Sequence, residues 1–314
     1  MTSPRLWGFW TQGKLDMLRD YLPAFTIAAK NKARGVTTYL DLFAGQSENV
    51  ARETGESIEG SPEMALRCDP PFTYLRLFEL EHAIDLSKHL GTLFPGRDVD
   101  VIEGDCNEKL GAILEAGNLP RWAPTFAFID PTGPDCWWST LEQLASFKEG
   151  SRYKTELWML FPVDMFTRFL RIDGGTVQDA HATRITRLFG TDEWTAAYRA
   201  RLAGELDASA ARFEYVNLMR WRLEEILGYK WTHSFDVRNT RRRLYSMIFA
   251  TDNKAGNDIM SSIYSGAAKT FPEMAEEARQ RRTAQQSLFS FPAKTGRYRH
   301  EPPLAPYGSA DRRE

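Results

Sequence analysis

Four carboxylates in this 314-residue chain stand where short apolar runs give way to loops. Asp41 is followed by Leu42, Phe43, Ala44 and Gly45; Glu79 closes TYLRLFE; Asp105 closes VDVIEGD; Asp130 closes TFAFID and precedes Pro131. A carboxylate at the end of a second strand can accept both hydroxyls of a ribose, which is the chemistry read for Glu79. Asp105 is then placed for an adenine amino group and Asp41 for orienting the loop or a ligand amine, while Gly45 lets the backbone approach a ligand. Phe43 and Cys106 adjoin the first and third of these ends and join the same ligand-facing set. Any one acid alone reads as well as a helix cap, but four in register point to one shared ligand. The loop Gly45-Gln46-Ser47-Glu48-Asn49 has a single glycine, so it is no G-x-G-x-x-G cradle and a nicotinamide dinucleotide is not expected. Gln46 and Glu48 are further candidates for contact with the ligand held there.

The elements that must position these residues follow from periodicity. VTTYLDLFAG (36–45), TYLRLFE (73–79), VDVIEGD (99–105), TFAFID (125–130) and ELWMLFP (156–162) read as strands, each separated from the next by a helical stretch. Such alternation builds βαβ units and a mostly parallel sheet, whose ligands bind outside the carboxyl ends of the strands. Residues 14–31 place Leu15, Leu18, Tyr21, Leu22 and Phe25 at helical intervals, with Pro23 expected to split the run into two short helices. A helix over 61–68 has Ser61 as its expected cap and Pro62 at its first position. Residues 164–229 carry a helical period and read as an insertion. KWTHSFDV (230–237) and RLYSMIFATD (243–252) are close enough to form an antiparallel hairpin at the sheet edge, followed by a helix over about 254–269. The expected organisation is therefore one α/β domain from 1–163 and 230–270, interrupted by 164–229 and followed by a C-terminal helix and mobile tail over 271–314.

Composition bounds the remaining possibilities. Apolar residues make up 42% and charged residues 26%, which excludes a disordered or collagenous chain. No run reaches the ~20 apolar residues of a membrane span, and Arg5, Lys14, Asp16, Arg19 and Asp20 break any leader-like segment, so a cytoplasmic protein is expected. The three cysteines, Cys68, Cys106 and Cys136, lie outside C-x-x-C spacing, and His82, His89 and His181 are isolated, so neither a disulfide framework nor a metal site is expected. Residues 1–163 carry 16 Lys and Arg against 23 Asp and Glu, while residues 164–314 carry 24 against 19. The basic half leaves room for a nucleic-acid partner. Arg238, Arg241, Arg242 and Arg243 sit in the turn of the late hairpin, where guanidinium groups suit phosphate or, equally, a solvated tip.

With DLFAG (41–45), Glu79, GD (104–105) and DP (130–131), the chain resembles the motif series of class I S-adenosylmethionine-dependent methyltransferases. More closely it resembles the three-Cys-motif partner (TcmP) family, through KLDMLRDYLP (14–23), DLFAG (41–45), GSP (60–62), GDCN (104–107), IDPTG (129–133) and YSMIFAT (245–251). That resemblance implies a Rossmann-like class I methyltransferase fold with a seven-stranded, mostly parallel sheet, S-adenosylmethionine as cofactor and a three-Cys-motif protein as partner. Asp130-Pro131-Thr132-Gly133 is similar to the D-P-P-Y signature of amino methyltransferases, which makes Asp130 and Pro131 the catalytic candidates and a nucleic-acid base or related amine the expected acceptor. In that chemistry the acid polarises an amine and an aromatic side chain stacks on the base, the role read for Trp137 or Trp138. Lys14, from the opening motif, joins Trp137, Trp138, Arg241, Arg242 and Arg243 as a candidate for substrate contact. Cys136 admits a second route, nucleophilic attack on a pyrimidine, although a small buried thiol explains it equally well. Ser47, where many methyltransferases have a second glycine, and the missing D-P-P-Y aromatic leave open another class of function: a methyltransferase-like module without turnover, serving a three-Cys-motif protein. Gln285-Gln286-Ser287-Leu288-Phe289 resembles, but for its second residue, the Q-L-S-L-F peptide that binds the bacterial sliding clamp.

Overall fold

A computed structural model describes residues 5–7, 9–30, 33–47, 49–51, 55–170, 179–238, 243–282 and 298–312. The chain runs β1 (Arg5–Trp7), α1 (Phe9–Lys30), β2 (Thr38–Asp41), β3 (Asn49–Ala51), α2 (Ser61–Arg67), β4 (Tyr74–Glu79), α3 (Ala83–Leu93), β5 (Val99–Glu103), α4 (Cys106–Glu115), β6 (Thr125–Ile129), α5 (Trp138–Ser146) and β7 (Glu156–Phe161). The helical segment follows as α6 (Val163–Phe169), α7 (Asp179–Phe189), α8 (Trp194–Ala203), α9 (Ala208–Trp221) and a π-helical turn over Arg222–Ile226. The strands β8 (Trp231–Arg238) and β9 (Arg243–Thr251) and the helix α10 (Lys254–Arg282) complete the body.

The main sheet has the order β5-β4-β2-β6-β7-β9-β8. Its first five strands are mutually parallel, and β9 enters antiparallel to β7 and carries β8 on its outer edge. Two crossover runs wind outward from β2 in opposite directions, so β2 and β6 flank the point where the strand order reverses, the place where open α/β sheets bind ligands. This is the Rossmann-like class I methyltransferase fold, seven-stranded and mostly parallel, with its antiparallel hairpin at one edge. A second, two-stranded sheet, which nothing in the sequence announced, pairs β1 with β3 in parallel.

Alternation along the strands explains why those runs read as continuously apolar. Tyr39, Phe126, Phe128, Trp158 and Phe249 project into a core shared with α1, α2, α3 and α10, while Leu40, Ala127, Ile129, Met159 and Ile248 project into one shared with α4, α5 and the inserted helices. Side chains two apart share a face, so a strand buried on both faces has no polar position to spare. The helical segment thus supplies one of the two outer layers: Ile185, Leu188, Phe189, Tyr215 and Met219 lie in the same core as the strands.

Three local expectations are corrected. Helix α1 is continuous through Pro23, because Tyr21, Leu22 and Phe25 are buried on both sides of it and hold the helix against its neighbours. Gly60, not Ser61, occupies the N-cap of α2, and the Ser61 hydroxyl bonds the Asp41 carboxylate instead. Helix α10 runs to Arg282, beyond the expected end near 269. Within the terminal stretch 271–314, residues 298–312 lie along the body: the Tyr298 hydroxyl donates to the Ser234 carbonyl at 2.6 Å, and Arg312 makes two bonds to Glu214 at 2.6 and 2.7 Å. The clamp-like peptide 285–289, with Glu48, Arg241 and Arg242, lies outside the described residues, and of Arg243 only the backbone is described, in β9. No described helix is long and apolar enough to cross a membrane.

Candidate functional site

The carboxyl ends of β2, β4, β5 and β6 open into a cleft of about 530 Å³, within the range of ligand-sized sites. Glu79, Asp105, Asp130, Phe43, Gly45 and Cys106 all line it, as does Lys14 from α1. Gly45 turns with φ +75°, the left-handed region that glycine enters without penalty, and a Cβ there would meet nothing within 4 Å. The loop above β2 is tied down from below and from the side. Asp41 accepts from the Tyr39 hydroxyl at 3.0 Å, the Phe43 backbone N–H at 3.3 Å and Ser61. Glu79 accepts the Gly45 N–H at 2.9 Å on one oxygen and the Glu81 and His82 N–H groups at 3.1 and 3.2 Å on the other.

These contacts divide the sequence candidates by role. Asp41 is fully buried and does not line the cleft, so it orients the loop and touches no ligand directly. Burial pushes its carboxyl up to about 7 against the three donors, which pull it down, and the nearby Asp130 adds a further upward push. Glu79 faces the cleft with one oxygen fully engaged by two N–H groups; the other takes only the Gly45 N–H and keeps a second lone pair for a hydroxyl. Asp105 caps α4 by accepting the Asn107 N–H at 2.9 Å, yet still lines the cleft.

Asn107 is the residue that sequence reasoning passed over. Its amide donates to Asp105 at 2.7 Å and to the Asp135 carbonyl at 2.8 Å, and its oxygen accepts from the Trp137 N–H at 2.9 Å and the Thr140 hydroxyl at 2.7 Å. One buried side chain therefore locks the loop after β5 to the loop after β6. The GDCN run held the only sequence signal for it. Ser61, read in the sequence as a helix cap, and Thr11, which carried no signal, also line the cleft.

Asp130 forms an ion pair with Lys14. The ammonium is buried, at 4% exposure, while the carboxylate keeps 18%, so the pair leaves Asp130 reachable from the cleft and Lys14 behind it. Lys14 also lies 6.0 Å from the centre of the Phe128 ring. Pro131 is buried directly after Asp130, and Thr132 and Asp135 continue the cleft wall.

Beyond Asp135 the wall becomes a second, open groove of about 700 Å³ between the start of α5 and the face of α7. An ion pair between Asp135 and Arg184 stands at the boundary. Trp137 is half-buried at the N-cap of α5, with the Arg187 guanidinium 4.7 Å from its ring centre. Trp138 is a core residue that shows only an edge to the groove: it donates to Glu142 at 2.7 Å, carries Arg222 at 4.3 Å, and fits so closely under Gly190 that a Cβ there would approach its ring to 2.3 Å. The two tryptophans that looked equivalent in the sequence are thus unlike. Cys136 is sealed in the core, where burial pushes its thiol well above the ordinary range, so it has neither the exposure nor the thiolate that attack on a pyrimidine requires. Cys106 and Cys68 are also buried free thiols.

No family model matches the sequence, and no curated protein matches it. Solved structures with related chain arrangement include a Legionella pneumophila protein (12% identity, 81% of this chain and 92% of that one, TM-score 0.45). Another is the M. jannaschii protein TYW2 in complex with AdoMet (11%, 76% and 75%, 0.34), and a third the methyltransferase domain of bacterial CtHen1 (8%, 74% and 98%, 0.32). Identities and scores this low carry no weight for function; the strand order assigns the fold by itself.

Proposed function

We propose that the protein is an S-adenosylmethionine-dependent methyltransferase acting on an amine of a nucleic-acid base or a related planar acceptor. The observation that carries this reading is the convergence of Glu79, Asp105 and Asp130 from the ends of β4, β5 and β6 on one cleft, beside the loop after β2 that Gly45 turns. These residues fit the cofactor: acceptors for ribose hydroxyls and an adenine amino group are present, and the single-glycine loop leaves no cradle for a pyrophosphate. S-adenosylmethionine, when bound, supplies an electrophilic methyl group on a sulfonium. Glu79 would hold a ribose hydroxyl on its remaining acceptor site, Asp105 the base, and Phe43 and Cys106 the apolar floor.

Asp130 has the part nearest the chemistry. A carboxylate beside Lys14 can accept a hydrogen bond from an acceptor N–H and keep the nitrogen lone pair aimed at the methyl group. Lys14 holds that carboxylate in place from behind and is therefore a positioning residue in this reading. In the open groove the Arg187 guanidinium lies over the Trp137 ring, and this cation-topped aromatic suits a base stacked on the guanidinium plane with a phosphate nearby. The three-Cys-motif protein belongs to this proposal as a partner that presents or selects the acceptor.

Calorimetric titration of S-adenosylmethionine and S-adenosylhomocysteine into the wild type and Glu79→Gln tests the reading. Micromolar binding that weakens by about 1.5–3 kcal/mol on losing a charged hydrogen-bond acceptor supports it. A folded protein that binds neither compound at millimolar concentration overturns it and leaves the non-catalytic partner module standing.

A further inference from the structure

Within the helical segment, α6, α8 and α9 line a partly open cavity of about 150 Å³ that is separate from both the cleft and the groove. Its walls combine two guanidinium groups, Arg201 and Arg212, with two phenols, Tyr198 and Tyr215, over an apolar floor that includes Phe166. Both arginines are half-buried, and two like charges facing one cavity favour an anion between them.

The state of Arg212 is the telling observation. Its Nε is shut off from solvent and has no hydrogen-bond partner, and no ion pair is formed by this side chain among the described residues. A buried donor left unsatisfied is expensive, and in a native structure it calls for a bound water or ion. Arg222, whose Nε is likewise orphaned, is accounted for by the Trp138 ring at 4.3 Å and Glu193 at 3.7 Å. Arg212 has no such compensation. Arg201 donates through one nitrogen to the Leu206 carbonyl at 3.1 Å, and most of its five donors remain for something else.

The surroundings favour a negative occupant. Ala208 and Ala211 bring the first turn of α9 to the cavity, and the positive end of that helix dipole adds to the two guanidiniums. Asp207, the N-cap, is the opposing charge; its carboxylate bonds the Ser209 and Ala210 N–H groups at 2.8 and 2.7 Å. Burial keeps the Tyr215 phenol protonated, so it remains a donor. We infer that this cavity binds a phosphate-type oxyanion, held by Arg201 and Arg212 with a phenol as an additional donor. Arg212 is suited to the task because the guanidinium edge that includes Nε can bind two oxygens of one tetrahedral anion. The source is either free inorganic phosphate or the backbone phosphate of a polynucleotide, which share this chemistry.

The test uses the full chain at constant ionic strength, with inorganic phosphate replacing chloride. The melting temperature is expected to rise with the logarithm of phosphate concentration once that exceeds the dissociation constant, as binding to the native state alone requires, and the 31P line of phosphate to broaden with protein. Arg212→Gln and, separately, Arg201→Gln are expected to weaken the apparent affinity at least tenfold. A short oligonucleotide competing well below the phosphate concentration identifies a polynucleotide as the source; failure to compete identifies free phosphate. A rise linear in phosphate and shared equally by the wild type and both variants is the general salting effect of phosphate and overturns the proposal, as does an unchanged 31P line. Should Arg212→Gln fold poorly, Arg201→Gln and Tyr215→Phe decide the matter by the same readouts.

Discussion

The two ends of the sheet are built alike and behave differently. At the carboxyl end Asp41 is fully buried and receives hydroxyls from Tyr39 and Ser61; at the amino end Glu156, at the start of β7, is fully buried and receives hydroxyls from Tyr21 and Thr251. Burial raises both carboxyls to about 7. Each faces a lysine or a lysine-paired acid: Asp41 senses Asp130, the partner of Lys14, while Glu156 senses Lys148, whose ammonium burial lowers to about 8. The Asp41 end adjoins the cleft. The Glu156 end is capped by α10, where a Cβ on Gly256 would come within 2.5 Å of the carboxylate. A displaced carboxyl therefore does not by itself mark a site in this protein; open space beside fixed donors does.

Perturbing each end should separate chemistry from stability. The largest effect is expected from Asp130→Ala, which should lower methyl transfer by about 10²- to 10⁴-fold in a radiolabel assay while leaving cofactor affinity nearly unchanged. Equal loss in Tyr21→Phe would erase the distinction between the ends. Next, Gly256→Ala and Tyr21→Phe should each destabilise by about 1–3 kcal/mol in denaturant melts, the first by crowding Glu156 and the second by leaving its oxygen unsatisfied, with cofactor binding retained. Replacing Asn107 with Ala should cost a similar amount of stability and also weaken cofactor binding, because it frees two cleft loops at once.

The smallest effect concerns pH. A carboxyl raised in the folded state binds more protons there than in the unfolded chain, so its contribution to stability falls as pH rises from about 4 to about 7 and is level above that. Glu156→Gln and Asp41→Asn should each flatten part of that fall when the pH dependence of melting is compared with the wild type. If only one variant does so, the likeness between the ends is confined to geometry.

Much of this was legible in the chain because strands buried on both faces leave long apolar runs, and the acids that end those runs survive as visible punctuation. The parallel order, the hairpin and the helical segment followed from those runs. What stayed hidden depended on the direction of single side chains. Asp41 and Glu79 look alike as strand-end acids, yet one points into the core and the other into the cleft, a matter of alternation that one residue of register decides. Trp137 and Trp138 are neighbours on the chain, and a step of about 100° at the start of α5 sends one to the groove and the other under Gly190. Lys14 read as a candidate for substrate contact, and its burial stayed hidden because nothing local shows that α1 is packed on several sides.

The clasp between α1 and α10 has a consequence for how the protein is made. Helix α1 precedes the strands of the main sheet in the chain and α10 follows them, and the two pack side by side beneath the sheet, with Trp158 and Tyr264 joined at 2.7 Å under them. The wall that carries Lys14 to Asp130 is thus made before those strands, yet its support is made after them. A nascent chain holds all four strand-end acids well before it holds α10, so the emergence of α10, rather than completion of the βαβ units, is the step that gives this wall its backing.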